Sequence, residues 1–232
     1  MTGSPDRPGR LPTFGRRRGH ALSPRQRGLL ERTLPGLLVA LRAPGTLDPA
    51  ILFGHPVRSV WLEIGFGAGE HLAWQAAQNP DIGFLGAEPY VNGIAKLLVA
   101  IEERGLANIR VHAGDARDLI DALAPRCLGR VFILFPDPWP KARHHKRRLI
   151  DTALVGSLAR TMEPGAELRI ASDLADYQRW IMQRLLADSR FEWLAASARD
   201  WRRRPADWPA TRYEKKAIAA GRRPAYLSFR RR

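Results

Sequence analysis

No run of residues in this 232-residue chain approaches the ~20 consecutive apolar positions needed to span a bilayer, so no membrane partner is expected. The opening, MTGSPDRPGRLPTFGRRRGH, is basic but has no apolar segment behind its charges, which argues against a secretory leader. Cysteine occurs once, at Cys127, and a lone thiol excludes an internal disulfide framework and suits a reducing, cytoplasmic setting. Cys127 stands just before an apolar strand with no obvious histidine partner, so it reads as a small core residue rather than a nucleophile. His144 and His145 are adjacent, without the spacing of a ligand pair, and no metal is expected. Lysine and arginine are both missing from residues 60–90, although the chain as a whole is strongly basic.

That basicity is the sequence's main excess. There are 38 Lys+Arg against 23 Asp+Glu, a formal net charge of +15, and the pI is near 11.2. Such an imbalance favours a polyanionic partner, because each phosphate contact releases a counterion. The cations gather in the first 32 positions, in 141–148 and from Arg199 onward. A general bias toward arginine would not cluster them in this way. Residues 1–32 are expected to be a basic tail without fixed structure, and 33–232 a single domain with one core.

From Ser59 onward, short apolar runs alternate with amphipathic segments. SVWLEIGFG, IGFLGAEP, NIRVHAGDA, RVFILFPD and AELRIASD read as five strands. Helices are expected over 69–78, 91–105, 147–162 (stopped by Pro-Gly) and 174–188. FEWLAAS and AYLSFRR complete a set of seven strands and are close enough to form an antiparallel edge pair. The fold class predicted is α/β: a doubly wound, mostly parallel seven-stranded sheet covered on both faces.

Ligands of such sheets lie beyond the carboxyl ends of the strands. Five strands here end in or beside an acid: Glu63, Glu88, Asp115, Asp137 and Asp173. Gly65, Gly67 and Gly69 follow the first strand and permit a tight turn with close backbone approach to a ligand. Glu88 lies about twenty residues further on, where an acid holds ribose hydroxyls. That arrangement alone suits nicotinamide and adenosyl cofactors equally. Glu63 discriminates, because an extra carboxylate repels a pyrophosphate but welcomes an ammonium and a sulfonium. Asp115 adds an acid where an adenine amino group is read.

The segments LEIGFGAGEHL, GAEPY, GDARD, FPDPWPKARHHKRR, IASD and TRYEKKAIAAG, spaced as here, resemble the bacterial tRNA (guanine-N7-)-methyltransferase family from about Val60 to the C-terminus. The resemblance implies a class I methyltransferase dependent on S-adenosylmethionine, forming 7-methylguanosine in the tRNA variable loop. It assigns cofactor contacts to Glu63, Glu88, Asp115 and Asp137, with Asp137 also the active-site acid. It assigns substrate contacts to Lys141, Asp173, Thr211, Arg212, Tyr213 and Glu214. Arg143, His144, His145, Lys146, Arg147 and Arg148 fall on its RNA-interacting stretch. A monomer or a homodimer is expected.

The residues suit that chemistry. Guanine N7 carries an exposed lone pair, so the enzyme must supply alignment rather than a strong base. Prolines 136, 138 and 140 stiffen the corner that holds Asp137, read first as an orienting carboxylate and second as a proton acceptor. Trp139 either stacks on a base or packs in the core. Thr211 and Glu214 also fit a helix capping box. One alternative is an exocyclic-amine methyltransferase, but PDPW places its acid one position away from that signature. A nicotinamide-dependent oxidoreductase is opposed by Glu63 and by Glu70 at the sixth position of the glycine motif. A non-catalytic RNA-binding protein would have little reason to keep every strand-end acid.

Overall fold

Continuous apolar runs are buried on both faces only inside a parallel sheet. The computed structural model, which describes residues 19–232, places the runs at 59–64, 82–87 and 128–134 there. In chain order the first half comprises α1 (Pro24–Arg32), α2 (Leu34–Leu37), β1 (Ser59–Ile64), α3 (Glu70–Gln78), β2 (Ile82–Ala87), α4 (Val91–Arg104) and β3 (Ile109–His112). Then come α5 (Ala116–Ala122), β4 (Leu128–Leu134), α6 (Thr152–Thr161), β5 (Met162–Ser172) and α7 (Ala175–Leu186). The chain closes with β6 (Phe191–Trp193), α8 (Ala198–Arg202), α9 (Arg212–Ala219) and β7 (Ala225–Arg231).

The seven strands lie in the order β3-β2-β1-β4-β5-β7-β6. β1 to β5 are parallel, and β7 runs antiparallel between β5 and the edge strand β6. The chain winds outward from β1 to β3 on one side and from β4 to β5 on the other. The ends of β1 and β4 therefore meet at the switch point, where two loops diverge and leave a crevice.

Alternate strand residues feed opposite faces. Val60, Leu62 and Ile64 pack with Leu119, Leu154, Leu158 and Ile181 under α5, α6 and α7. Phe84 and Ile109 pack on the other face with Leu72, Ala76, Ile94 and Leu98 of α3 and α4. Further along that second face, Phe132 and Leu134 are capped by Trp208 and Tyr226.

Three expectations shift. Residues 24–32, expected within a structureless tail, form α1, capped by Ser23 and Gln26 in a reciprocal capping box. Leu29 is buried there, and Arg25 pairs with Glu102 and Glu103 of α4, each at 2.8 Å. The rest of the expected tail, residues 1–18, lies outside the described residues. The helix expected from 147 starts at Thr152, because the Asp151 carboxylate accepts the Leu154 N–H and sets the cap. The Pro164-Gly165 pair belongs to the first part of β5, where the register against β4 shifts.

The first turn of α4 lies directly on the glycine turn after β1. A Cβ at Gly93 would stand 2.0 Å from the carbonyl oxygen of Gly67. Gly93→Ala should therefore destabilise the protein by about 1–3 kcal/mol, the usual cost of overpacking, seen as a lowered thermal midpoint. An unchanged midpoint would contradict this close packing.

Candidate active site

Gly65, Gly67 and Gly69 have φ of 70°, 57° and 76°, a left-handed alternation that L side chains rarely adopt. The turn they make aims the Gly67 N–H at Glu88, whose Oε2 accepts it at 2.8 Å. Glu88 Oε1 accepts the Tyr90 N–H at 2.9 Å. The carboxyl is nonetheless buried, and desolvation pushes its pKa up. The two backbone bonds oppose that shift, while the negative charges of Asp137 and Glu63 reinforce it. Glu63 and Asp137 thus both lie close enough to Glu88 for their charges to act on it.

Glu63 is buried at the end of β1 and lines a small cavity with Gly65, Phe66, His71, Phe135 and Tyr213. Its Oε2 accepts a hydrogen bond from His71 Nδ1 at 2.7 Å. His71 was not anticipated, although it follows the glycine motif by only two positions. Asp115 lies beyond β3, caps α5 by accepting the Arg117 N–H, and pairs with the Arg117 side chain at 2.5 Å.

The corner after β4 is strained. Phe135 and Trp139, which flank Pro136-Asp137-Pro138, have φ of 52° and 43°, conformations costing of order 1–3 kcal/mol each. Asp137 is exposed at its tip. Two bonds hold the corner: Phe135 N–H to the Ala171 carbonyl at 2.8 Å and Arg148 Nε to the Pro138 carbonyl at 2.9 Å.

Arg148 therefore departs from its expected place on the RNA-facing stretch. Its side chain is wholly out of solvent and pairs with Asp176. The guanidinium lies 5.0 Å from the Tyr177 ring and 4.9 Å from the Trp180 ring. His145 also turns toward α7, edge-on to Trp180 at 5.6 Å. Lys141, Arg143 and Lys146 remain exposed. Trp139 is half-buried, with Arg147 over its ring at 5.1 Å and His144 edge-on at 5.8 Å. It belongs to a surface aromatic–cation cluster rather than to the core.

The TRYE segment divides its labour. Thr211 caps α9 through the Glu214 N–H. Arg212 binds Glu70 at the start of α3 through its backbone N–H and its Nε, both at 2.9 Å. Tyr213 lies across the glycine turn, 3.2 Å from where a Gly67 Cβ would be. Glu214 turns away from the cavity and is buried, accepting from Tyr226 Oη at 2.6 Å and Arg204 Nε at 3.0 Å. Only half of the expected capping box forms, because the Glu214 carboxylate is spent on Tyr226 and Arg204. Asp173 is paired with Arg222 at 2.6 Å. Among the described residues, no group of three or more His, Cys, Asp or Glu is placed to hold a metal ion. No helix among them is long and apolar enough to cross a membrane.

Residues 57–226 match a family model described as "Putative methyltransferase". A tRNA (guanine-N(7)-)-methyltransferase of Rhodospirillum rubrum is 49% identical over 222 residues, covering 94% of this chain and 87% of that protein. One from Nitrobacter hamburgensis is 50% identical over 218 residues, covering 94% of this chain and 86% of that protein. The chain belongs to the tRNA (guanine-N(7)-)-methyltransferase family. Among solved structures, the aminoglycoside resistance methyltransferase NpmB1 is similar at a TM-score of 0.51 and 16% identity, covering 76% of this chain and 88% of that one. That likeness is one of fold alone.

In this family member the acidic corner is held from behind by an arginine buried against α7. Arg148→Ala removes a hydrogen bond, an ion pair and two ring contacts. It should lower unfolding free energy by about 1–3 kcal/mol in denaturant titration. An unaltered midpoint would show that Arg148 does not anchor the corner.

Proposed function

We propose that the chain transfers a methyl group from S-adenosylmethionine to N7 of a guanosine in the tRNA variable loop, working in the cytoplasm. The observation that carries this reading is the clustering of Glu63, Glu88 and Asp137 at the switch point, with exposed cations directly behind the corner. The names of the curated relatives supply the nucleoside and the atom.

The residues suit an adenosyl sulfonium cofactor. A Cβ at Gly65 would meet nothing within 4 Å, so the left-handed turn opens onto space that a ligand can enter. The donor set around that space is acidic, as a cationic amino acid moiety requires. Glu63 would hold the ammonium and Glu88 the ribose hydroxyls, exchanging its present bond to Gly67 N–H as needed. Asp115 would read the adenine amino group. When bound, the cofactor supplies an electrophilic methyl on sulfur.

Asp137 then orients the acceptor by taking hydrogen bonds from guanine N1–H and N2–H, which presents N7 to the methyl. The N7 lone pair would take up that methyl while the donor's sulfur keeps the bonding pair, and the Asp137 carboxylate beside the purine would stabilise the positive charge it gains. Lys141, Arg143, Lys146 and Arg147 lie behind the corner, where they would hold the phosphates on either side of the target. Tyr213 would close over the glycine turn, with Arg212 fixing α9 to α3. Arg148 and Glu214 enter as supports for the corner and for α9. A pyrophosphate cofactor is disfavoured, since it would face buried Glu63 at the turn.

Incubation of unmodified tRNA with labelled cofactor, followed by nucleoside digestion, should yield 7-methylguanosine. N6-methyladenosine without 7-methylguanosine would overturn the reading. Asp137→Ala should cut kcat by about 100-fold or more while tRNA affinity stays within a few-fold. Full turnover in that variant would remove Asp137 from the site.

Glu88 makes a pH prediction. Its pKa is raised in the folded chain, so the native state binds a proton at pH values where the unfolded chain has lost it. This one group therefore withdraws stability from the free protein as pH rises through its raised titration range. Ribose hydroxyls donate to the ionised form, so cofactor binding works in the opposite direction. Affinity for S-adenosylhomocysteine should fall on acidification, beginning at a higher pH than an ordinary glutamate would cause. Glu88→Gln should remove that early loss, as read by calorimetric titration across pH, and an identical pH profile in the variant would exclude Glu88.

A further inference from the structure

We propose that His71 is a positioning residue: it fixes the Glu63 carboxylate for the cofactor's ammonium and links it, through Gln75, to the loop leading into α9. The inference rests on the methyl-donor reading above. Both side chains of the Glu63–His71 pair are almost fully buried, at 4% and 2% exposure. His71 Nδ1 is 2.7 Å from Glu63 Oε2, and His71 Nε2 is 3.2 Å from Gln75 Nε2.

The direction of every bond in this chain is set by its far end. Gln75 Nε2 donates to the Asp207 carbonyl at 2.7 Å, and a carbonyl can only accept. The nitrogen end of Gln75 is thereby fixed, and its second N–H faces His71 Nε2. That ring nitrogen must accept, so the tautomer carries its proton on Nδ1 and donates it to Glu63. The ring cannot swing away, because Phe132 and Trp208 meet it edge-on at 4.7 and 5.8 Å. One Glu63 oxygen is thus committed, in one rotamer, at a cavity that Glu63 and His71 both line.

The same chain of bonds reaches the loop before α9. Asp207 and Trp208 precede Thr211 and Tyr213, which line that cavity from α9, and Arg204 donates to the Trp208 carbonyl. Together with the Glu70–Arg212 pair, the Gln75 bond gives α3 two grips on the segment that covers the cofactor space. Any buried histidine needs partners for its ring nitrogens; what marks His71 is that its Nδ1 partner is a carboxylate on the cavity wall.

The test uses two ligands that share an adenosine thioether and differ in the amino acid part. Calorimetry with S-adenosylhomocysteine and with 5′-methylthioadenosine is compared for wild type, His71→Leu and His71→Asn. His71→Leu should weaken S-adenosylhomocysteine by about tenfold or more, the loss of one bond to a charged group, and leave 5′-methylthioadenosine within about threefold. His71→Asn, whose amide nitrogen restores a donor near Nδ1, should hold S-adenosylhomocysteine within about threefold. In turnover, KM for the methyl donor should rise in His71→Leu more than kcat falls. Equal weakening of both ligands, or of neither, would overturn the positioning role, and retained 5′-methylthioadenosine binding shows the variant is folded. If wild type binds neither ligand, the methyl-donor reading itself fails, and this inference with it.

Discussion

Two carboxylates, Glu63 and Glu88, are withdrawn from water at the carboxyl ends of adjacent parallel strands, and the surrounding structure is arranged to keep them there. A buried carboxylate is tolerated only when hydrogen bonds replace its hydration. Glu88 obtains two from backbone N–H groups on and near the glycine turn. Glu63 obtains one from a histidine wedged between aromatic rings. Among the described residues neither is paired with a lysine or arginine, and residues 60–90 contain none. In a chain of net charge +15, that leaves a negatively charged crevice inside a positively charged surface. The two signs suit two ligands, a cationic donor within and a polyanion outside.

The second constraint is conformational. The corner bearing Asp137 holds two bulky residues in left-handed backbone geometry, which persists only where the surroundings over-determine it. The β5 backbone at Ala171 and the buried guanidinium of Arg148 supply that determination. α7 thereby serves the site without touching it, since Asp176, Tyr177 and Trp180 fix the arginine that fixes the corner.

The sheet was legible because β2 and the VFIL stretch of β4 are buried throughout and read as apolar runs, and the acids followed from the strand ends. α1 was obscured by its arginines, although the Ser23–Gln26 capping box was present in the sequence. Arg148 looked like one more cation in ARHHKRR. Its burial depends on rings from α7 some thirty residues on in sequence, which no local pattern announces. Glu214 likewise turns inward because Tyr226 from β7 and Arg204 wait for it. His71 was hidden for a similar reason: Gln75 is one turn on in α3, but Glu63, Phe132 and Trp208 come from other elements.

The most direct test of the central claim is a crystal structure of the complex with S-adenosylhomocysteine. If buried Glu63 and Glu88, with Asp137 exposed at the corner, receive a cationic donor, the ligand's amino group will lie on Glu63, its ribose hydroxyls on Glu88 and its sulfur facing Asp137 across the crevice. A ligand bound elsewhere, or one leaving Glu63 and Glu88 with only their present partners, would contradict the account.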